Sequence, residues 1–351
     1  MKVDVLLASP GTTAGWRRAD ADLADVLREL GVSVSIARSD MRFVRHLRRT
    51  MQLTDLAEAA AMRFSVSRAL RRTAPRLILY STTQSTMLQP RRRLRGAAVR
   101  FDALAAVNRP GRANALQHRL ERRALASAAM LLPWGLDPAL RLPAELRRES
   151  RVVALPVAIR APAAAGGARE PVAVTYAGNP DKKGLELVAE AWRLAAPEGR
   201  RLVVTGIDAA AGRSHLRSRG VEEPAGIEWA GLLPQPDHDA LIAGAELYLS
   251  ASRIEEYGVA QLEALAAGAL LVTTPSRGPY EALPLARRLE PGLIAAERTP
   301  QALAGALRAG LDLPEAARAA YRECARELVA PYSREELRRR LERYVLPVLL
   351  P

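Results

Sequence analysis

Residues 251–268 read Ala-Ser-Arg-Ile-Glu-Glu-Tyr-Gly-Val-Ala-Gln-Leu-Glu-Ala-Leu-Ala-Ala-Gly, and this stretch decides how the rest of the chain is read. The run Glu246-Leu-Tyr-Leu-Ser-Ala-Ser252 before it is strand-like, and Gly258 marks the start of a helix that carries Glu263. Glu255 and Glu263 stand eight residues apart, the first on the loop and the second on the helix. A strand end, a short acidic loop and a helix N-terminus therefore converge. In open α/β sheets ligands bind at the carboxyl ends of strands, and a helix N-terminus attracts phosphate.

Outward from this point, strand patterns alternate with helical ones, which predicts parallel α/β layers. In the first half, strands are expected at 3–8, 32–37, 76–80, 97–101 and 129–132, with a last one at 152–155. Helices are expected near 17–30, 54–73 and 111–127. Residues 156–171 are rich in Pro, Ala and Gly and lack periodicity, as an interdomain linker would. A second series of strands follows at 172–177, 201–205, 227–230, 246–251 and 269–273. The expected organisation is a domain over 1–156, a linker over 157–170, a second domain over 171–330 and a C-terminal helix over 331–351. That helix opens on Ser333 and Glu336, spaced as N-cap and N3 of a capping box.

A chain of 351 residues suits two domains with separate cores. With 49% hydrophobic and 26% charged residues it is expected to fold rather than stay disordered. The first residues read as a strand and lack the regions of a signal peptide. No apolar run approaches the roughly 20 residues that span a bilayer. A single cysteine, Cys324, excludes an internal disulfide and fits a cytoplasmic setting.

The net charge of +14 fits nucleic acid, anionic lipid or a phosphorylated substrate. Nearly all of it is arginine, because the only lysines are Lys2, Lys182 and Lys183. Two of the three stand side by side in a glycine-flanked loop, where a compact ammonium on a flexible stem is useful. No helix-turn-helix, zinc pattern or RNA-stacking set is recognisable, and 4% aromatics leave few stacking platforms, so nucleic acid is not the expected partner.

The segment Glu255-Glu-Tyr-Gly-x4-Glu263-Ala-Leu-Ala-x-Gly268 resembles the Glu-x7-Glu motif of family 4 (group 1) retaining glycosyltransferases. The resemblance implies the GT-B architecture, an α/β fold of two Rossmann-like parallel-sheet domains facing a central cleft. Upstream, Tyr176-Ala-Gly-Asn-Pro-Asp-Lys-Lys-Gly184 resembles the same family's diphosphate loop. By that resemblance Gly178 lets backbone approach the ligand, Lys183 pairs with a β-phosphate and the helix after Gly184 presents amides. Asn179 stands where the family has arginine, so Lys182 or an arginine elsewhere has to supply the charge. Read without the family, the two lysines form a solvated pair at a turn and the two glutamates flank an amphipathic helix.

On the same grounds Glu263 reaches a ribose and Glu255 faces the transferred sugar, while Tyr257, Gly258 and Val259 offer backbone amides. Glu256 replaces the family's glycine. Gly206 and Gly231 end strands where a nucleobase docks in this family, and residues 274–281 resemble its glycine turn and glutamate. In the first domain, Gly11 and Gly15 fit a loop near the donor diphosphate, and either can equally be a turn glycine. Asp102 takes the place of the family's histidine after the fourth strand. His118 reads first as an ordinary helix residue.

Arg42, Arg45 and Arg49 share a helical face near Phe43, Leu47 and Met51, and residues 91–95 add an arginine run. These form a peripheral contact with an anionic membrane, a wall for a phosphorylated acceptor, or a solvated face. The implied reaction moves a sugar from a nucleotide diphosphate sugar to an acceptor hydroxyl, on a cell-envelope glycan or a lipid-linked sugar, with retention. Lys183 and helix amides stabilise the leaving diphosphate. No metal and no other cofactor is required, and no Asp-x-Asp motif stands where a metal-dependent fold would place it. The alternatives are a sugar-nucleotide binder without transfer activity, a GT-B epimerase and a basic nucleic-acid-binding protein.

Overall fold

The computed structural model describes residues 2–11, 13–39, 51–148, 151–160 and 169–350. They form two compact units: Met1–Ala158 with Tyr332–Pro351, and Ile159–Pro331. Each is built on a five-stranded parallel sheet.

In the first unit the strands are β1 (Lys2–Ser9), β2 (Val34–Arg38), β3 (Ala74–Tyr80), β4 (Ala98–Phe101) and β5 (Met130–Pro133), in the order β2-β1-β3-β4-β5. Alternation sorts their side chains onto two faces. Leu6, Ala8, Val99, Phe101 and Leu131 form one core with Met62 and Val66 of the helix Met51–Leu70 and with Ala124 and Leu125 of the helix Ala115–Ser127. Val5, Leu7, Leu79, Ala98, Met130 and Leu132 form the other core with Leu23, Val26 and Leu27 of the helix Ala14–Glu29. Leu337, Leu341 and Val345 from the C-terminal segment join this second core.

Ser333 caps the helix Arg334–Arg340, its Oγ accepting the Glu336 amide at 3.1 Å. The Glu336 carboxylate instead takes Arg339 at 2.7 Å and Arg340 at 2.6 Å, so one half of the expected capping box forms. The strand expected at 152–155 is reduced to an isolated bridge between Leu131 and Val152. The amides of Val153 and Leu155 still donate to the carbonyls of Leu131 and Pro133, but Pro133 has no amide to return a bond, and the ladder is interrupted there. Of the expected linker, 161–168 lie outside the described residues, Val157 and Ile159 are buried, and Glu170 opens β6. Arg42, Phe43, Arg45, Leu47 and Arg49 also lie outside the described residues.

The second unit holds β6 (Glu170–Tyr176), β7 (Arg201–Thr205), β8 (Ile227–Gly231), β9 (Ala245–Ser250) and β10 (Leu270–Thr273), in the order β10-β9-β6-β7-β8. Because β6 starts the series in the middle, the strand order reverses between β6 and β9 while all strands stay parallel. Crevices at such switch points are where doubly wound sheets bind ligands. The loop after β6 leads to the helices Pro180–Lys183 and Leu185–Ala195, and the loop after β9 leads to the helix Val259–Ala267. That last helix is buried over nearly its whole surface, Gln261 and Glu263 included. Among the described residues no helix is long and apolar enough to cross a membrane.

Candidate functional site

The loops that leave β6 and β9 are laced together at the switch point. The Arg253 amide donates to the Lys182 carbonyl at 2.9 Å. Beside this backbone bond the Lys183 ammonium donates to Glu255 Oε2 at 2.7 Å, and the Lys182 ammonium donates to Glu256 Oε2. One turn further on, Arg253 Nη2 donates to Glu186 Oε1 at 3.1 Å. Two adjacent lysines thus face two adjacent glutamates as two rungs of one ladder.

Glu255 is almost fully buried. Its Oε2 also accepts the Ser252 hydroxyl at 2.9 Å and the Gln261 amide at 3.1 Å, and Gln261 reaches Ser250 Oγ at 2.8 Å. The backbone of Glu255 is pinned to the turn after β10, with its amide on the Arg277 carbonyl at 2.9 Å and its carbonyl accepting the Tyr280 amide at 3.2 Å. Burial pushes the Glu255 carboxyl up, but Lys183, Lys182 and the Ser252 hydroxyl outweigh it and hold it below the ordinary value of 4.5. A carboxyl more acidic in the native state than in the unfolded chain contributes stability above the unfolded value. That contribution fades as pH falls below 4.5 and is lost once the pH passes the native value. Acid unfolding of the wild type is therefore expected to be steeper than that of Glu255→Gln, as read by circular dichroism between about pH 6 and 3.

Gly184 makes the ladder possible. It sits at φ +69°, and a Cβ on it would lie 2.3 Å from the Ala251 carbonyl oxygen. This close approach brings the lysine-bearing turn against the end of β9. Asn179 does not act as a cationic clamp. Its Oδ1 caps the helix Pro180–Lys183 by accepting the Lys182 amide at 3.1 Å. Gly178 is exposed, with the Tyr176 ring against it and against Gly206.

Glu263 is buried, and its Oε1 accepts the Arg160 amide at 3.4 Å. It shares a neighbour with Glu255: burial first, and then the charges of both glutamates among others, push the Tyr248 hydroxyl well up. Tyr257 is buried, with its carbonyl accepting the Glu281 amide at 3.0 Å. Gly258 is the left-handed N-cap of the helix that Val259 opens. The Gly206 amide donates to the Gly231 carbonyl at 2.7 Å, which closes the ends of β7 and β8 on each other.

Three expected site residues belong to the first unit. Gly11 is a left-handed turn residue whose carbonyl accepts Arg17 Nη1 at 3.0 Å. Gly15 lies in the first turn of the helix Ala14–Glu29 rather than in the loop, because Thr13 already caps that helix. Asp102 follows β4, and its Oδ1 accepts the Ala103 amide at 2.7 Å. His118 is a helix residue whose Nε2 meets the Arg109 carbonyl at 2.8 Å. Sequence reasoning passed over Ser252 and Gln261. The signal for Gln261 was present, since a glutamine inside an otherwise apolar, buried helix needs a polar partner.

Residues 171–312, which carry all of this ladder, match the family model described as Glycosyl transferases group 1. The resemblance drawn from Lys183, Glu255 and Glu263 points to the same family. No curated protein sequence matches the chain significantly. Among solved structures the chain is similar to a glycosyltransferase from Rickettsia africae ESF-5, with 14% identity, 99% of each chain covered and a TM-score of 0.70. It is also similar to the sucrose-phosphate synthase of Thermosynechococcus elongatus, with 16% identity, 97% of each chain covered and a TM-score of 0.70. A third similar structure is Anabaena HepE in complex with UDP and glucose, with 15% identity, 97% of this chain and 98% of that one covered and a TM-score of 0.64. The fold is that of the GT-B glycosyltransferases.

Proposed function

We propose that the protein transfers a sugar from a nucleotide diphosphate sugar to an acceptor hydroxyl, with retention of anomeric configuration. The observation that carries this is the Lys183–Glu255 contact at the switch point, inside the segment that matches the group 1 family. On this reading Lys183 leaves Glu255 for the β-phosphate, and the helix N-termini at Leu185 and Val259 add amide donors toward the diphosphate. Glu255 then accepts hydroxyls of the donor sugar and Glu263 those of the ribose. The acceptor oxygen bonds to the anomeric carbon, the bond from that carbon to the diphosphate oxygen breaks, and the proton passes to the departing diphosphate. Charge on the leaving group is met by Lys183 and the amides, so no divalent ion is assigned a role.

A thermal-shift panel with UDP-, GDP-, ADP- and TDP-sugars is expected to give stabilisation with one base and to be unchanged by EDTA. Stabilisation by DNA or RNA with none from any sugar nucleotide would discard the proposal. A second reading, a sugar-nucleotide binder without transfer activity, draws on Asn179 being occupied as a helix cap. Product analysis with the stabilising donor separates the two, and epimerisation would show as an altered sugar without an acceptor adduct.

We further assign a glycan or lipid-linked acceptor and a cytoplasmic location at an anionic membrane face. This draws on a groove of about 770 Å³ in the first unit, lined by Ile36, Ala57 and exposed Phe64 beside Arg38, Arg68 and Arg72. Apolar residues set among arginines suit an anionic leaflet. Co-sedimentation with vesicles containing anionic phospholipid is expected, weakening in Arg68→Glu/Arg72→Glu. Equal retention on zwitterionic vesicles would remove this assignment.

A further inference from the structure

We infer that Glu256 is a competing anion that holds Lys182 in the ligand-free site and sets how readily a nucleoside diphosphate leaves. The inference rests on the donor-binding reading above and adds a regulating residue to the same site. Lys182 and Lys183 are the only lysines beyond residue 2, and both meet a glutamate of the β9 loop. Charge within the ladder is therefore balanced before any ligand arrives. The two rungs differ in surroundings. Glu255 is held by Lys183, Ser252 and Gln261, and its side chain is 7% exposed. The Glu256 side chain is 25% exposed and its partner Lys182 is 36% exposed. An ion pair this open to water is weak and exchanges easily.

The backbone of Lys182 does not need the outer rung. Its amide is held by Asn179 and its carbonyl by the Arg253 amide, so the ammonium can turn from Glu256 to a phosphate without disturbing the turn. A diphosphate at the N-terminus of the helix Leu185–Ala195 would compete with Glu256 for that ammonium and would be repelled by the freed carboxylate. Glu256 thus lowers affinity for both donor and product nucleotide and speeds product release. Lys182 supplies the second cation that Asn179 does not.

The test is calorimetric titration of the full chain with UDP, GDP, ADP and TDP. Glu256→Gln keeps the side chain's shape and removes its charge. It is expected to tighten the nucleotide that binds the wild type about 2- to 5-fold, an effect of the size a partly exposed charge pair controls. Lys182→Ala is expected to weaken that nucleotide, and Lys182→Ala/Glu256→Gln to lose the gain seen in Glu256→Gln. Glu256→Ala, with unliganded melting temperature followed in parallel, checks that the gain comes from the missing charge and not from the amide. If the wild type binds a nucleotide and neither Glu256 variant binds it more tightly, the inference fails while the donor site stands. If the gain persists without Lys182, Glu256 acts by general repulsion and the latch is wrong. Absence of binding by every nucleotide to both wild type and Glu256→Gln overturns the donor reading and this inference with it.

Discussion

Lys183→Met is expected to lower the unfolding free energy by about 3 kcal/mol, because it strands the buried Glu255 carboxylate. Ser252 and Gln261 still donate to that carboxylate, so the loss falls at the lower end of the range for broken buried pairs. Glu255→Leu placed on the same background removes the stranded charge and is expected to recover most of the stability in urea unfolding. Nucleotide affinity follows a different course. Losing one charge-assisted hydrogen bond to phosphate costs roughly 1.5–3 kcal/mol, or about 10- to 100-fold in Kd. The double variant is expected to regain stability and not to regain binding. Recovery of both together would mean that Lys183 only supports the fold.

Gly184→Ala is expected to be comparably severe through the backbone. A left-handed residue other than glycine costs about 1–2 kcal/mol. The added methyl would also press on the Ala251 carbonyl oxygen at 2.3 Å and on Arg298 Nη2 at 2.5 Å. Overpacking of that kind adds about 1–3 kcal/mol. Relief requires the lysine-bearing turn to move away from the end of β9, which separates Lys183 from Glu255. Lower melting temperature together with lost nucleotide binding is the expected outcome. A stable variant that still binds would show that the close approach is dispensable.

The sheets were legible because parallel α/β strands are continuous apolar runs with few rivals in sequence. The run at 246–251 and the glycine at 258 located β9 and its following helix almost to the residue. The segment at 152–155 falls short of a strand because an apolar run does not show what its partner can donate, and Pro133 opposite it has no amide. Within the site, chemistry-bearing residues were visible one at a time and their pairing was not. Nothing in the spacing joins residue 183 to residue 255, or 182 to 256, since those contacts depend on β6 and β9 being neighbours in the sheet. Asn179 shows the same limit. Its type marked a departure from an arginine, and only the geometry showed the amide oxygen engaged as a cap.

The second unit is one continuous stretch of chain, whereas the first is written in two pieces on either side of it. Leu337, Leu341 and Val345 complete a core whose other members appear before residue 159. A ribosome working from the amino end therefore delivers the ladder-bearing unit whole while the earlier one still shows a bare apolar face. Nascent-chain protection is expected to appear first in residues 159–331, and residues 1–158 wait for residues made after them.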